Sequence, residues 1–132
     1  MNNKYYTPEI EEFHPGFKYE VKDFHDNLVD YVWKEETMGI GCDFVLDELL
    51  GGDIRVKHLD REDIESLGWV YDKTYPGLNE DMFTTEEYIL DYDYDSKYCR
   101  IYWRENNGDV TRFSGTIKNK SVLKQVLKMI GV

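Results

Sequence analysis

Three aspartates at every second position, Asp91, Asp93 and Asp95, open the stretch Asp91-Tyr92-Asp93-Tyr94-Asp95-Ser96. At that spacing, side-chain oxygens begin to wrap a hard cation such as calcium. The match stops there. A helix-flanked calcium loop needs glycine at its sixth position and a bidentate glutamate at its twelfth, where this chain has Ser96 and Tyr102. The flanking residues alternate as strands do, so the aspartates are expected on a solvated strand face, paired across a hairpin with Arg100 and Arg104. His14, His25 and His58 lie far apart and at no ligand spacing to one another or to Cys42 and Cys99, which form no CxxC pair. No zinc site and no cofactor are therefore expected.

The sequence holds no nucleophile elbow, P-loop, dinucleotide-binding glycine turn, zincin pair or kinase set. Acidic pairs such as Glu35/Glu36, Glu62/Glu65 and Glu86/Glu87 are the raw material of acid–base chemistry, but 27 acidic residues produce such pairs by chance. A non-enzymatic protein is the expectation. The chemistry that does stand out is aromatic: Tyr88, Tyr92, Tyr94, Tyr98 and Tyr102, with Arg100 and Arg104, fall on adjacent predicted strands. Amphipathic aromatics and arginine are enriched at interfaces and stack on ligand rings. These seven residues are the predicted interaction surface, on a tyrosine-rich face left partly exposed if a helix covers the other.

The elements that must position them read as follows. Tyr88, Leu90, Tyr92 and Tyr94 alternate with Ile89, Asp91, Asp93 and Asp95; Cys99, Ile101 and Trp103 alternate with Tyr98, Arg100, Tyr102 and Arg104. Asn106-Asn107-Gly108-Asp109 supplies a tight turn into a return strand from Val110 to Ile117. The three strands make an antiparallel meander. Upstream, Ile54 to Leu59 reads as a strand and Asp60 as the N-cap of a short helix. Leu59 and Ile64 sit at hydrophobic-staple spacing, Glu62 and Asp63 in the first turn, and Gly68 beyond the end. Trp69-Val70-Tyr71 leaves as a strand toward a loop at Pro76 to Asp81.

Phe17 to Phe24 and Leu28 to Lys34 read as a hairpin after an extended lead-in over residues 1–16, and residues 42–50 as a short helix or irregular loop, with a strand the alternative. At the far end, Ser121 is the expected cap of a helix carrying Val122, Leu123, Val126, Leu127 and Ile130 on one stripe. Lys120, Lys124 and Lys128 lie on the other, and Gly131 ends the helix. The expected fold is a single α+β domain over residues 1–132: a mainly antiparallel sheet of about five to seven strands, a short central helix, and a C-terminal amphipathic helix packed on one face.

The formal charge is −11, and its placement is uneven. From Arg112 onward there are five basic residues and no acidic one, so residues 1–111 hold a balance of −16. Such a body repels phosphate and anionic lipid, which argues against direct nucleic-acid or membrane binding. No apolar run suggests a secretion signal or a spanning segment, and a soluble cytoplasmic protein with reduced thiols is the expectation. Oligomeric state is not legible, although an exposed edge strand can pair across a dimer.

The stretch Ile54-Arg55-Val56-Lys57-His58-Leu59-Asp60-Arg61-Glu62-Asp63-Ile64-Glu65-Ser66-Leu67-Gly68-Trp69, together with residues 113–124 and 5–14, resembles small uncharacterised proteins found in gut Bacteroidales and in their tailed phages. That resemblance brings no catalytic residues with it. It implies a bacterial or phage-infected cytoplasm and a phage origin. The functional expectation is an acidic interaction protein binding a protein partner, for a phage-encoded chain a host or defence protein, with nucleic-acid mimicry as one version. The alternative is a small-ligand protein that stacks a base or nucleotide on its aromatic strands.

Overall fold

A computed structural model of the chain describes residues 4–24, 30–39, 53–105 and 108–132. The expected reading of residues 42–50 lies outside them. The fold is α+β and mainly antiparallel, but its strands form two sheets where one was expected. They belong to two compact units, residues 1–58 and 59–132.

In the first unit, β1 (Tyr5–Tyr6), β2 (Lys18–Phe24), β3 (Tyr31–Thr37) and β4 (Ile54–Lys57) lie in the order β1-β4-β2-β3. The expected hairpin is β2 with β3, although β3 runs further than Lys34. The lead-in is not simply extended: β1 pairs with β4, and a 3-10 turn at Ile10–Glu12 follows. Glu12 holds that turn, accepting from the Tyr6 hydroxyl at 2.7 Å and the Glu9 N–H at 2.7 Å. Period-two alternation sends Tyr19, Ile54 and Val56 inward to a small core around Phe17, with Phe13, Val21 and Met38 packed on it.

The second unit begins with the best-specified local structure. Helix α1 (Arg61–Ser66) is capped by Asp60, whose carboxylate accepts the Asp63 N–H at 2.9 Å. Leu59 and Ile64, the staple pair, are both buried in the same core, and Gly68 takes a φ of +97° after the last turn. A five-stranded meander follows: β5 (Val70–Thr74), β6 (Glu80–Thr84), β7 (Ile89–Asp93), β8 (Tyr98–Glu105) and β9 (Gly108–Thr116). Strand β6 falls in and beyond the expected loop. Its Asp81, Met82 and Phe83 are buried in succession, so no alternation marks it.

Helix α2 (Lys120–Ile130) closes the unit, burying Leu123 and Leu127 against Phe83, Leu90, Tyr92, Cys99 and Ile101 of the sheet. Its lysines Lys120, Lys124 and Lys128 are exposed, as expected. The cap is Asn119, not Ser121: the buried Asn119 side chain accepts the Val122 N–H at 2.9 Å. Gly131, with a φ of +81°, ends the helix.

Candidate functional site

The seven residues of the predicted surface do not share a face. Antiparallel register places directly paired residues on one side of a sheet, and β7 pairs with β8 as Leu90 with Ile101, Tyr92 with Cys99, Asp91 with Arg100, and Ile89 with Tyr102. Tyr92 therefore lies under α2, fully buried, its hydroxyl donating to the Ile117 carbonyl at 2.5 Å. Tyr88 and Tyr94 pack against that same core, Tyr88 edge-on to Trp103 and Tyr94 edge-on to Tyr92. The tyrosine-rich face expected to stay exposed is thus the face the helix covers. The reason is amphipathic: a tyrosine ring fills a core well once its hydroxyl finds a partner.

Tyr98, Arg100, Tyr102 and Arg104 lie together on the outer face. Tyr98 is exposed, but Tyr102 is buried at 3% exposure, with the Arg100 guanidinium 4.1 Å from its ring centroid. The Tyr102 and Tyr75 hydroxyls both donate to Asp91, at 3.1 and 2.7 Å. Burial first and the Asp91 charge second hold the Tyr102 phenol above its ordinary value. Arg100 and Arg104 both approach Asp109, at 3.9 and 3.8 Å, so the expected pairing with the aspartates of β7 gives way to pairing along β8 and β9. Those aspartates are otherwise engaged: Asp93 accepts the N–H groups of Asp95 and Ser96, and Asp95 accepts from Asn79. Among the described residues no group of three or more His, Cys, Asp or Glu side chains is placed to hold a metal ion.

On the inner side, Asp81 is buried at 2% exposure and accepts from Arg61 Nε at 2.9 Å, Thr74 Oγ1 at 2.7 Å and the Tyr94 hydroxyl at 2.8 Å. Arg61 also lies 4.0 Å from the Tyr71 ring centroid. Burial acts to raise the Asp81 pKa, but hydrogen bonds from Thr74, Arg61 and Tyr94 and the Arg61 charge outweigh it, leaving the carboxyl below its ordinary range. With its acceptors filled and its charge matched, this carboxylate ties α1, β5, β6 and the turn after β7 together; it is not poised as a base.

A second aromatic surface, unforeseen in the sequence, occupies the outer face of the four-stranded sheet. Register brings Tyr5 of β1, Arg55 of β4, Glu20 and Lys22 of β2, and Tyr31 and Trp33 of β3 to one side. The Arg55 guanidinium lies 3.6 Å from the Tyr5 ring centroid and 4.1 Å from that of Trp33, with its Nε 2.7 Å from Glu20 Oε1. Lys22 Nζ follows at 4.7 Å from the Tyr31 ring centroid and 5.7 Å from that of Trp33, and 3.6 Å from Asp53. Tyr31 and Trp33 meet edge to face at 5.8 Å. The result is a ladder, Tyr5–Arg55–Trp33–Lys22–Tyr31, in which each cation sits against aromatic rings. Such contacts contribute about 0.5–1 kcal/mol each when exposed.

Tyr31 and Trp33 are two apart and so share a face of any strand. That signal was legible. Their partners were not, because β4 inserts between β1 and β2, a crossover that periodicity does not reveal. No protein-family model, curated protein or solved structure matches the chain.

Proposed function

We propose that this is a non-enzymatic interaction protein that binds a protein partner through the outer face of its four-stranded sheet. The ladder from Tyr5 to Tyr31 carries the reading. It presents Tyr, Trp and Arg together, the residue types that dominate interface hot spots, and the cations hold the rings so that little side-chain freedom is lost on binding. The resemblance to proteins of gut Bacteroidales and their phages suggests a bacterial or phage-infected cytoplasm, with a host or defence protein as the partner.

Matched charge on this face favours aromatic contact over nucleic-acid mimicry. Glu20 is paired with Arg55, Asp53 with Lys22, and Glu35 with Lys18 at 3.8 Å, so these carboxylates, among the described residues of the face, are not free to replace phosphates. The small-ligand alternative has less support: Arg112 lies against the Trp103 ring, away from the Asp109 shared by Arg100 and Arg104, so the arginines do not gather around one pocket.

The test is capture of a protein partner from the native host, followed by affinity measurement with Trp33→Ala and Arg55→Ala. Each substitution is expected to weaken binding by roughly 30-fold or more, with a shallow dependence on salt and little loss of melting temperature. Full retention of affinity by a folded Trp33→Ala protein would sink the assignment to this face. Binding that collapses with moderate salt would restore the mimicry reading.

A further inference from the structure

We infer that two copies of the chain pair through the edge of β3 that no described strand occupies, antiparallel and centred on Trp33, to join their four-stranded sheets. The first observation is the edge itself. Sheet edges are usually made unfit for pairing by shortness, bulges or charge, and three of the four edges among the described residues are short or bear a register shift. Strand β1 has two residues, β5 meets β6 with a register shift between Tyr71 and Lys73, and β9 meets β8 with a shift between Ile101 and Tyr102. Strand β3 differs. It pairs with β2 through seven consecutive residues without a shift, and among the described residues nothing pairs with its other side.

The second observation is what that edge exposes. Tyr31 is 41% exposed and Val32 51%, neighbouring large apolar side chains at the start of the strand, one on each face. A second copy covers both. Joining two sheets about a twofold axis perpendicular to them keeps inner face beside inner face, so each residue must meet one of the same parity and the axis must pass through a residue. Centring on Lys34 sets Lys34 against itself, and centring on Glu35 sets Glu35 against itself; both place like charges opposite one another, while centring on Val32 opposes no like charges but overlaps only residues 31–33 of the strand, against 31–35 for Trp33. Centring on Trp33 sets Trp33 against Trp33, Tyr31 against Glu35, and Val32 against the aliphatic stem of Lys34. Only the outermost pair, Asp30 with Glu36, then opposes like charges. Aromatic cross-strand pairs are among the stabilising ones, and the Tyr5–Arg55–Trp33 ladder would run on into its copy. Trp33 and Tyr31 belong to the ladder as well, but the inference does not rest on the partner reading, and its test substitutes Val32 and Lys34, on the opposite side of the sheet.

The test is the molar mass of the full chain in solution from micromolar to millimolar concentration. The expected result is a concentration-dependent rise from 15.8 kDa toward twice that mass, favoured by salt because each copy carries a charge of −11. Val32→Lys places lysine opposite Lys34 at two symmetry-related positions, and should weaken self-association by roughly tenfold or more. The double substitution Val32→Lys with Lys34→Glu restores opposite charges in the same register and should recover the dimer, which separates loss of pairing from loss of folding. A mass of one chain throughout the range, a dimer indifferent to Val32→Lys, or no recovery by a folded double variant would each overturn the proposal.

Discussion

Asp81 shows how one buried charge is kept. Its desolvation is offset by donors from Arg61, Thr74 and Tyr94, and its folded pKa falls below the unfolded one. The stabilisation is therefore complete above the ordinary carboxylate range and is lost as pH falls through the lowered value. Asp81→Asn removes the charge matched to Arg61 and, with its oxygen kept toward Arg61 and Tyr94, turns amide donors toward Thr74, whose hydroxyl donates to the carboxylate in the parent. It should cost about 2–3 kcal/mol at neutral pH, a figure held down by the half-exposed Arg61, with the gap closing below about pH 4 in chemical denaturation. Glu80 behaves in the opposite sense. Burial first, then the charges of Asp91 and of Asp93 directly across the ladder, raise its pKa. Its contribution is favourable while it is protonated and is lost as pH rises through the raised value. Glu80→Gln should thus melt higher than the parent at pH 7 and at the same temperature well below the carboxylate range; a lower melting temperature at pH 7 would show that the charged form has a favourable partner. Cys99 is a third case: burial, with the Asp91 charge second, pushes its thiol up, so it should resist alkylation until the unit unfolds, as peptide mapping would show.

At the scale of elements, caps and registers decide. Asp60 was legible as a cap because cap, staple pair, first-turn acids and terminal glycine coincide within a few residues. Asp60→Ala should cost about 1 kcal/mol, read as a lowered denaturant midpoint with an unchanged slope. Ser121 and Asn119 are both capping residues two positions apart, and propensity does not choose between them. What chose was the body of the protein, which buries Asn119 and leaves the Lys120 side chain in water. Strand β6 carries no local signature for a related reason. Its Asp81 is buried through partners 7, 13 and 20 residues away in sequence, and without those partners a buried aspartate beside Met82 and Phe83 reads as a loop.

For the molecule as a whole, net charge is a term in stability. Self-repulsion among 27 acidic side chains against 16 basic ones is screened by salt, while the ion pairs at exposed positions such as Lys18–Glu35 and Lys34–Glu36 contribute little. The melting temperature of the full chain should rise between roughly 10 and 200 mM sodium chloride as the Debye length shrinks from about 30 to 7 Å. A fall would mean that the ion pairs outweigh the repulsion. Among the described residues no helix is long and apolar enough to cross a membrane.

By itself the sequence determined what is local or periodic: the α+β class, the β2–β3 hairpin, the capped α1, the last strands of the meander and the amphipathic α2, all set by neighbours a few residues apart. Only the tertiary structure decided which side of each strand meets a partner. Tyr88, Tyr92 and Tyr94 had the same pattern as an exposed recognition strip, but on the face that α2 covers Tyr92 is buried in the core and Tyr88 and Tyr94 are half-buried against it. Lys22 and Trp33 face each other within the β2–β3 hairpin, but it was the insertion of β4 between β1 and β2 that brought Tyr5 and Arg55 to the same surface. Period-two patterning says that a strand has two faces; which face is buried depends on long-range pairing that no local window contains.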